Sequence, residues 1–336
     1  SLHLISAGPS SRWNSSLNTI AGFYGVKGKL LQRQYKDHLS EFNSWEQKSH
    51  ANNWLLFPEN MGKYLSIDET AFTNGELYTI VTNKAAKGKK GALIAMVKGT
   101  KAENVIRILL KIPIGKRNKV KEVTLDMAGN MGLIVKKSFP RASKVIDRFH
   151  VQKLATEAIQ EIRIKHRWEA IDKENDAIEY TRKKGILYVP KILDNGDTLK
   201  QLLARSRYLL FKNPRKWTQS QNQRAEMLFQ IYPDLKKAYD LSQNLSWIFE
   251  NTKDKTVGLS RLARWYEKVR QSGFKSFNSI VRTMSIHYQN ILNYFDNRST
   301  NASAESFNAK IKAFRAQFRG VRNIPFFLFR LSNIFA

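Results

Sequence analysis

Between residues 61 and 150 the apolar positions fall in short runs bounded by turn residues, the pattern of strands in a sheet. Tyr64-Leu65-Ser66-Ile67-Asp68 predicts one strand, Leu77-Tyr78-Thr79-Ile80-Val81 a second, and Ala92-Leu93-Ile94-Ala95-Met96-Val97 a buried third. Lys84, Lys87, Lys89 and Lys90 around Gly88 mark the turn between the last two. Thr100-Lys101-Ala102-Glu103 has the form of a capping box opening a helix with Val105, Ile106, Leu109 and Leu110 inward. Val123-Thr124-Leu125-Asp126 predicts another strand, 130–138 a helix, and Lys144-Val145-Ile146-Asp147 a last strand. Three strands, helix, strand, helix, strand make a mixed α/β sheet.

The flanking segments have helical periodicity. Residues 15–43 predict a helix pair: Ala21 allows close approach, Gly25 the turn, and Leu30, Leu31 and Tyr35 recur beyond it. That arrangement suits a helix-turn-helix whose second helix shows Lys29, Gln32, Arg33 and Lys36 to phosphates and base edges. Gln34 stands where such a motif usually wants an apolar residue, and a basic hairpin packed on the next domain is the alternative. Residues 44–60, with Trp45, Trp54 and Pro58, read as a connector. From 151 to 298 the period is helical with almost no strand signal, and Trp168, Trp217, Trp247 and Trp265 lie among Arg, Lys and Tyr. These aromatics serve as core or as stacking platforms for an unpaired base. The stretch 302–318 is again helical, with Glu305, Asn308 and Lys312 on one face. The expected division is 1–60, 61–150, 151–298 and 299–336. The chain starts at Ser1 rather than Met, which points to a missing preceding segment or an expression scar, so 1–14 are left unread. No signal peptide is visible there.

Charge narrows the partners. Against 28 Asp and Glu stand 57 Lys and Arg, a formal charge of +29, spread along nearly the whole chain. Such an excess repels itself unless a polyanion screens it. A long phosphate backbone is the natural partner; an anionic membrane surface is the rival, but no apolar run approaches the roughly 18 residues of a spanning helix. The hydrophobic fraction of 42% is that of a globular protein. With no cysteine there are no disulfides, thiol nucleophiles or thiolate zinc sites, which fits a reducing compartment.

Two aspartates, Asp68 and Asp126, lie at the ends of apolar runs. If their strands pair side by side, both carboxylates leave one edge of the sheet, and a helix-borne glutamate could complete a cluster. Close carboxylates repel, so the cluster makes sense with bound cations; oxygen ligands favour Mg²⁺ or Mn²⁺, and two ions about 4 Å apart suit in-line phosphoryl displacement. Glu69 competes with Asp68 but points to the opposite face of its strand. An Asp at a strand end is also a common turn or cap residue.

The blocks Leu65-Ser66-Ile67-Asp68-Glu69-Thr70, Val123-Thr124-Leu125-Asp126-Met127, Asp147-Arg148-Phe149-His150 and Asn301-Ala302-Ser303-Ala304-Glu305-Ser306-Phe307-Asn308-Ala309-Lys310-Ile311-Lys312 resemble, in order, those of the DDE transposases of bacterial insertion sequences, the ISL-three family in particular. The resemblance covers about 61–325. It implies an α/β, ribonuclease-H-like catalytic fold, a mixed sheet split by a large all-helical insertion before the last acidic residue. It also implies that Asp68, Asp126 and Glu305 hold two Mg²⁺ or Mn²⁺ ions, with His150 approaching the scissile phosphate and Asp147 positioning it. On that reading Lys310, Lys312 and Arg315 hold phosphates, extended by Arg319 and Arg322, while Asn308 orients Glu305 or touches DNA. Otherwise Asp147 is a helix cap, His150 its first turn, and the lysines are solvated charges. His3, His38, His50, His166 and His287 show no metal-ligand spacing.

Double-stranded DNA is the implied partner, as terminal inverted repeats and as target, handled by a homodimer or higher oligomer in the bacterial cytoplasm at the nucleoid, with no membrane. Members of the family often carry an N-terminal zinc-binding region; lacking cysteine, this chain would recognise DNA through its helix pair or a separate preceding segment. The alternatives are a non-catalytic DNA-binding protein derived from a transposase, and a structure-specific nuclease of the same fold.

Overall fold

The computed structural model describes residues 17–73, 76–317 and 323–336. Two compact units divide the chain, Ser1–Val145 with Ser299–Ala336, and Ile146–Arg298.

The first unit opens with two seven-residue helices, α1 (Leu17–Phe23) and α2 (Gly28–Gln34), joined through Gly25 at φ +64. Ala21 and Leu31 are buried where the two meet, whereas Leu30 is largely exposed. Tyr35, in the irregular helical turn that follows, packs with Phe42 and Trp45 on Phe326 and Phe329.

Six strands form one sheet: β1 (Trp54–Leu56), β2 (Tyr64–Thr73), β3 (Glu76–Asn83), β4 (Leu93–Lys98), β5 (Glu122–Leu125) and β6 (Ser143–Ile146), in spatial order β1-β4-β3-β2-β5-β6. The mixed α/β sheet expected from the apolar runs is present. β1 was not expected: the connector carries an edge strand, pairing Leu55 with Met96 of β4. β2 is antiparallel to β3 and parallel to β5, and Leu65, Ser66 and Ile67 are buried because both faces of this central strand are covered.

Helix α3 (Ala102–Leu109) starts without the capping box: Lys101 is the N-cap and no side chain caps it, while the Thr100 carbonyl accepts from Asn130 Nδ2 at 2.8 Å. It buries Val105, Ile108 and Leu109, and the expected inward Leu110 is exposed. The short α4 (Ile114–Arg117) buries Arg117, which donates to the carbonyls of Ile112 and Ser138, the latter at the end of α5 (Gly129–Ser138).

The second unit is all-helical, as its periodicity predicts. It consists of α6 (Arg148–Lys183), α7 (Leu199–Arg205), α8 (Gln219–Ile231), α9 (Pro233–Asn251), α10 (Lys255–Ser272), α11 (Lys275–Ile286), α12 (Tyr288–Leu292) and α13 (Tyr294–Asn297). Trp265 is fully buried and donates Nε1–H to the Leu241 carbonyl, Trp217 donates to that of Leu209, and Trp168 and Trp247 are exposed.

The chain returns to the first unit as α14 (Ala302–Gln317) and α15 (Ile324–Phe335). Phe307 and Ile311 of α14, with Phe327, Leu328 and Leu331 of α15, bury against Tyr78 and Ile80 of β3 and Met96 of β4. One face of the sheet is therefore roofed by these two helices.

Gly258 in α10 has a packing role. A Cβ there would sit 2.6 Å from Phe295 Cδ2, and that buried ring is stacked on Phe249 at 5.7 Å between centroids. Gly→Ala in a helix gains about 1 kcal/mol of propensity, but overpacking a fixed core costs roughly 1–3 kcal/mol. Gly258→Ala is expected to lower the midpoint of thermal unfolding; an unchanged or raised midpoint would show that Phe295 can move.

Candidate active site

Strand β2 delivers two adjacent carboxylates to opposite sides of the sheet. Asp68 lies opposite Ile80 of β3, and antiparallel partners project to the same face, here the face roofed by α14. Asn308 Nδ2 on that helix donates to Asp68 Oδ2 at 2.8 Å, and the Glu69 backbone N–H donates to Asp68 Oδ1 at 2.8 Å. Asp68 is half-buried.

Strand β5 supplies Asp126. Ser66 and Thr124 are register partners in the parallel β2–β5 pair, so Asp68 and Asp126 each lie two residues beyond the same rung. Asp126 is the first residue after β5, and its Oδ1 accepts the Ala128 N–H at 2.7 Å, shaping the turn into α5. Glu69, opposite Thr79, has its carboxyl pushed above the usual carboxylate range. Burial is the main cause; the Asp126 charge also raises it, and a hydrogen bond with Asn130 lowers it. Asp126 and Glu69 thus feel one another, although Glu69 leaves β2 on the side away from Asp68.

Glu305 occupies the first turn of α14, one turn before Asn308; its side chain is exposed and its N–H donates to the Asn301 carbonyl at 2.9 Å. Among the described residues no three His, Asp or Glu side chains stand close enough to hold a metal ion. The donors are hard oxygens of the kind Mg²⁺ or Mn²⁺ takes. The chemistry of the set fits such an ion; the arrangement does not gather all three carboxylates around one.

Lys310 Nζ donates to the Gly88 carbonyl at 2.7 Å and so ties α14 to the β3–β4 turn. Lys312 is exposed and Arg315 half-buried; Arg319 and Arg322 fall outside the described residues, as does His3. Sequence reasoning took Lys84 for a turn residue only. Its ammonium donates to Thr124 Oγ1 at 2.8 Å and lies 3.8 Å from Glu122, which sets a cation over β5 two residues before Asp126. Nothing in the lysine-rich turn signals that contact.

Asp147 is fully buried and caps α6, accepting the Phe149 N–H at 3.1 Å, with His150 in the first turn; both belong to the helical unit. On α2, Lys29, Gln32 and Arg33 are exposed, whereas Lys36 lies in the following turn, half-buried and 3.1 Å from Asp37. His50 stacks on Trp54, and His166 bonds Glu169 and Asp234. No helix among the described residues is long and apolar enough to cross a membrane.

The mixed sheet sets Asp68 on β2 level with Asp126 just after β5, and α14 bonds Asp68 through Asn308. Residues 65–331 match the ISL3-type DDE family described as "Transposase", and the chain belongs to that family. A curated relative, the transposase for insertion sequence element IS1001 of Bordetella parapertussis, is 23% identical over 279 residues, covering 81% of this chain. The chain spans 61% of that relative's length. The structure of the Drosophila P element transposase strand transfer complex aligns with 99% of this chain and 94% of its own, at 12% identity and a TM-score of 0.37. A likeness that low carries no argument about this chain.

The Asn308–Asp68 bond predicts a local stability effect. A half-buried hydrogen bond to a charged group contributes about 1–2 kcal/mol. Asn308→Ala is expected to lower the unfolding free energy from denaturant titration by that amount, with a lower midpoint, while Lys312→Ala, which alters an exposed charge, stays within roughly 0.5 kcal/mol of the parent. Equal midpoints for the two variants would mean that water replaces the amide without loss.

Proposed function

We propose that the chain is the catalytic part of a DNA transposase that binds the ends of an insertion sequence, cleaves a strand there and transfers it to target DNA. The observation that carries this reading is the level placement of Asp68 and Asp126 on the parallel β2–β5 pair, with α14 bonded to Asp68 through Asn308. The strand order, with β2 central between an antiparallel β3 and a parallel β5, supports a ribonuclease-H-like core interrupted by the helical unit.

Asp68, Asp126 and Glu305 would hold the divalent cations. When bound, two such ions supply Lewis acidity, aiding deprotonation of the attacking hydroxyl and stabilising the leaving oxygen. The protein's own contribution is positioning: backbone N–H groups hold one oxygen of each aspartate, and the Asn308 amide holds the second oxygen of Asp68. Lys84, paired with Thr124 and Glu122, steadies β5 two residues before Asp126. Lys29, Gln32 and Arg33, exposed on α2, would meet a duplex if α1 and α2 act as a helix-turn-helix, with Lys36 in the turn that follows. Lys312 and Arg315 offer backbone contacts along α14; Lys310 is available once released from Gly88. The net charge of +29 supplies the long-range attraction. Such a protein acts at the bacterial nucleoid, and two element ends call for two copies.

Single alanine substitutions of Asp68, Asp126 and Glu305 are expected to reduce Mg²⁺- or Mn²⁺-dependent cleavage of DNA bearing the element's ends at least about a hundredfold, with circular dichroism unchanged. Glu69→Gln is the control, expected to retain cleavage. If it abolishes cutting while Asp68→Ala does not, the acidic set is Glu69 with Asp126. If all four variants cut like the parent, the site is elsewhere; DNA binding without any metal-dependent nicking would favour the non-catalytic alternative.

Binding should be strongly salt-dependent. With about six to ten phosphates neutralised, affinity is expected to fall roughly a thousandfold or more between about 50 and 200 mM salt, and Arg33→Ala to reduce the log–log slope by about one. A flat salt dependence in fluorescence anisotropy would contradict the phosphate reading.

A further inference from the structure

Helix α9 turns an apolar stripe of Leu241, Leu245, Ile248 and Phe249 into the core of the helical unit. Gln243, Asn244, Trp247 and Asn251 fall on the other face at helical spacing. They line a cavity of about 530 Å³, inside the range of roughly 300–1,000 Å³ that small ligands occupy. A second wall comes from the turn Pro214–Lys216, in which Asn213 accepts the Arg215 N–H at 3.0 Å. That turn is pinned to α9. Trp217, just after it, stacks on Tyr239 with ring centroids 5.5 Å apart, and the Tyr239 hydroxyl donates to the Lys212 carbonyl at 2.6 Å. The cavity is therefore set between two anchored elements of the same unit.

The lining selects the ligand. Trp247 is 48% exposed, and the Arg261 guanidinium lies over its ring at 4.7 Å from the centroid. Arg261 is itself held by the Asn251 carbonyl and Thr252 Oγ1, each at 2.9 Å. One face of the indole is thus taken by a fixed cation, and a flat π-system stacks on the other. Gln243 and Asn244 are half-buried, and among the described residues neither side-chain amide has a hydrogen-bond partner. An apolar occupant would leave both unpaired; a base edge offers each a donor beside an acceptor, and adenine is the base that such amides pair with in two bonds. Arg215 supplies charge for the attached phosphate, while the one carboxylate on the cavity, Glu250, lies 3.8 Å from Arg148. A base inside a duplex has both faces stacked, so the occupant is unpaired. We infer that this cavity binds an unpaired nucleotide of a DNA strand, adenine in preference, stacked on Trp247, its edge read by Gln243 or Asn244 and its phosphate held by Arg215. The site rests on the transposase reading for its DNA, and on none of the residues assigned to cleavage.

Fluorescence anisotropy without divalent metal tests it, with a labelled duplex carrying a single unpaired adenine and the same duplex fully paired. The parent is expected to bind the first at least about tenfold more tightly. Trp247→Ala should abolish that difference while affinity for the paired duplex stays within about twofold and the thermal midpoint is unchanged; Trp247→Phe should keep most of it. Gln243→Ala with Asn244→Ala should retain the preference for an unpaired base but bind unpaired adenine and thymine alike. Adenosine monophosphate, which lacks the strand, should compete only at millimolar concentration. Equal affinity of the parent for the two duplexes overturns the site and leaves DNA binding standing, whereas a parent that binds neither removes the DNA reading and the site together. A Trp247→Ala loss shared equally by both duplexes, an adenine preference that survives removal of both amides, or displacement by micromolar adenosine monophosphate also overturns it.

Discussion

The parallel pairing of β2 with β5 is the constraint on which the rest of the first unit depends. Parallel neighbours cannot be joined by a tight turn, so everything from β3 to the end of α4 is threaded between them. Their register is held by burial: Leu65, Ser66 and Ile67 on one strand and Val123, Thr124 and Leu125 on the other are all inside. A slip by one residue would exchange the faces of every side chain and send buried Ile67 and Val123 to the wrong layer. The same register that preserves the core sets Asp68 and Asp126 at one level. The placement of these two carboxylates and the packing of the core are here one specification.

That level placement concentrates carboxylates in a strongly basic chain, and the local structure steadies them mostly with dipoles. Asp68 takes a backbone N–H and the Asn308 amide, and Asp126 takes the Ala128 N–H. Lys84 is spent on Thr124 and Glu122, and Lys310 on the Gly88 carbonyl. Neutral donors fix the orientation of a carboxylate without cancelling its charge themselves. The raised Glu69 carboxyl shows the cost of that choice, since burial and the Asp126 charge both work against its ionisation.

The strands of the sheet were legible because central strands bury both faces and read as apolar runs. β1 was not: Trp54-Leu55-Leu56 is three residues long and becomes a strand only through pairing with distant β4. α15 was missed because Ile-Pro-Phe-Phe-Leu-Phe-Arg-Leu buries most of its surface and so shows no polar face to give it a period. In α3 the phase slipped. Ile108, not Leu110, completes the buried stripe, and a segment of eight residues is too short for the pattern to correct itself. Asp68, Asp126 and Glu305 were visible as family blocks, and the opposite directions of Asp68 and Glu69 followed from strand alternation. The Asn308–Asp68 and Lys84–Thr124 bonds had no local signal. They arise from where α14 and the β3–β4 turn dock, and such contacts are fixed by the whole core rather than by spacing along the chain.

The docking of α14 also constrains how Glu305 can reach the aspartates. Ala304, Phe307 and Ile311 bury one stripe of the helix, and the latter two lock into the core beneath it. Rotating α14 to bring Glu305 inward would expose Phe307, which is fully buried, at a cost of about 2–3 kcal/mol. Rotation is unnecessary, because Glu305 and Asn308 share a face and lie three residues, about 4.5 Å, apart along the axis. With Asn308 bonded to Asp68 and the helix held by its buried stripe, the freedom left to Glu305 is that of its own exposed side chain in the first turn of α14. The Asn308 amide fixes the position of α14 over Asp68, and the buried stripe beneath it fixes the rotation of the helix about its axis.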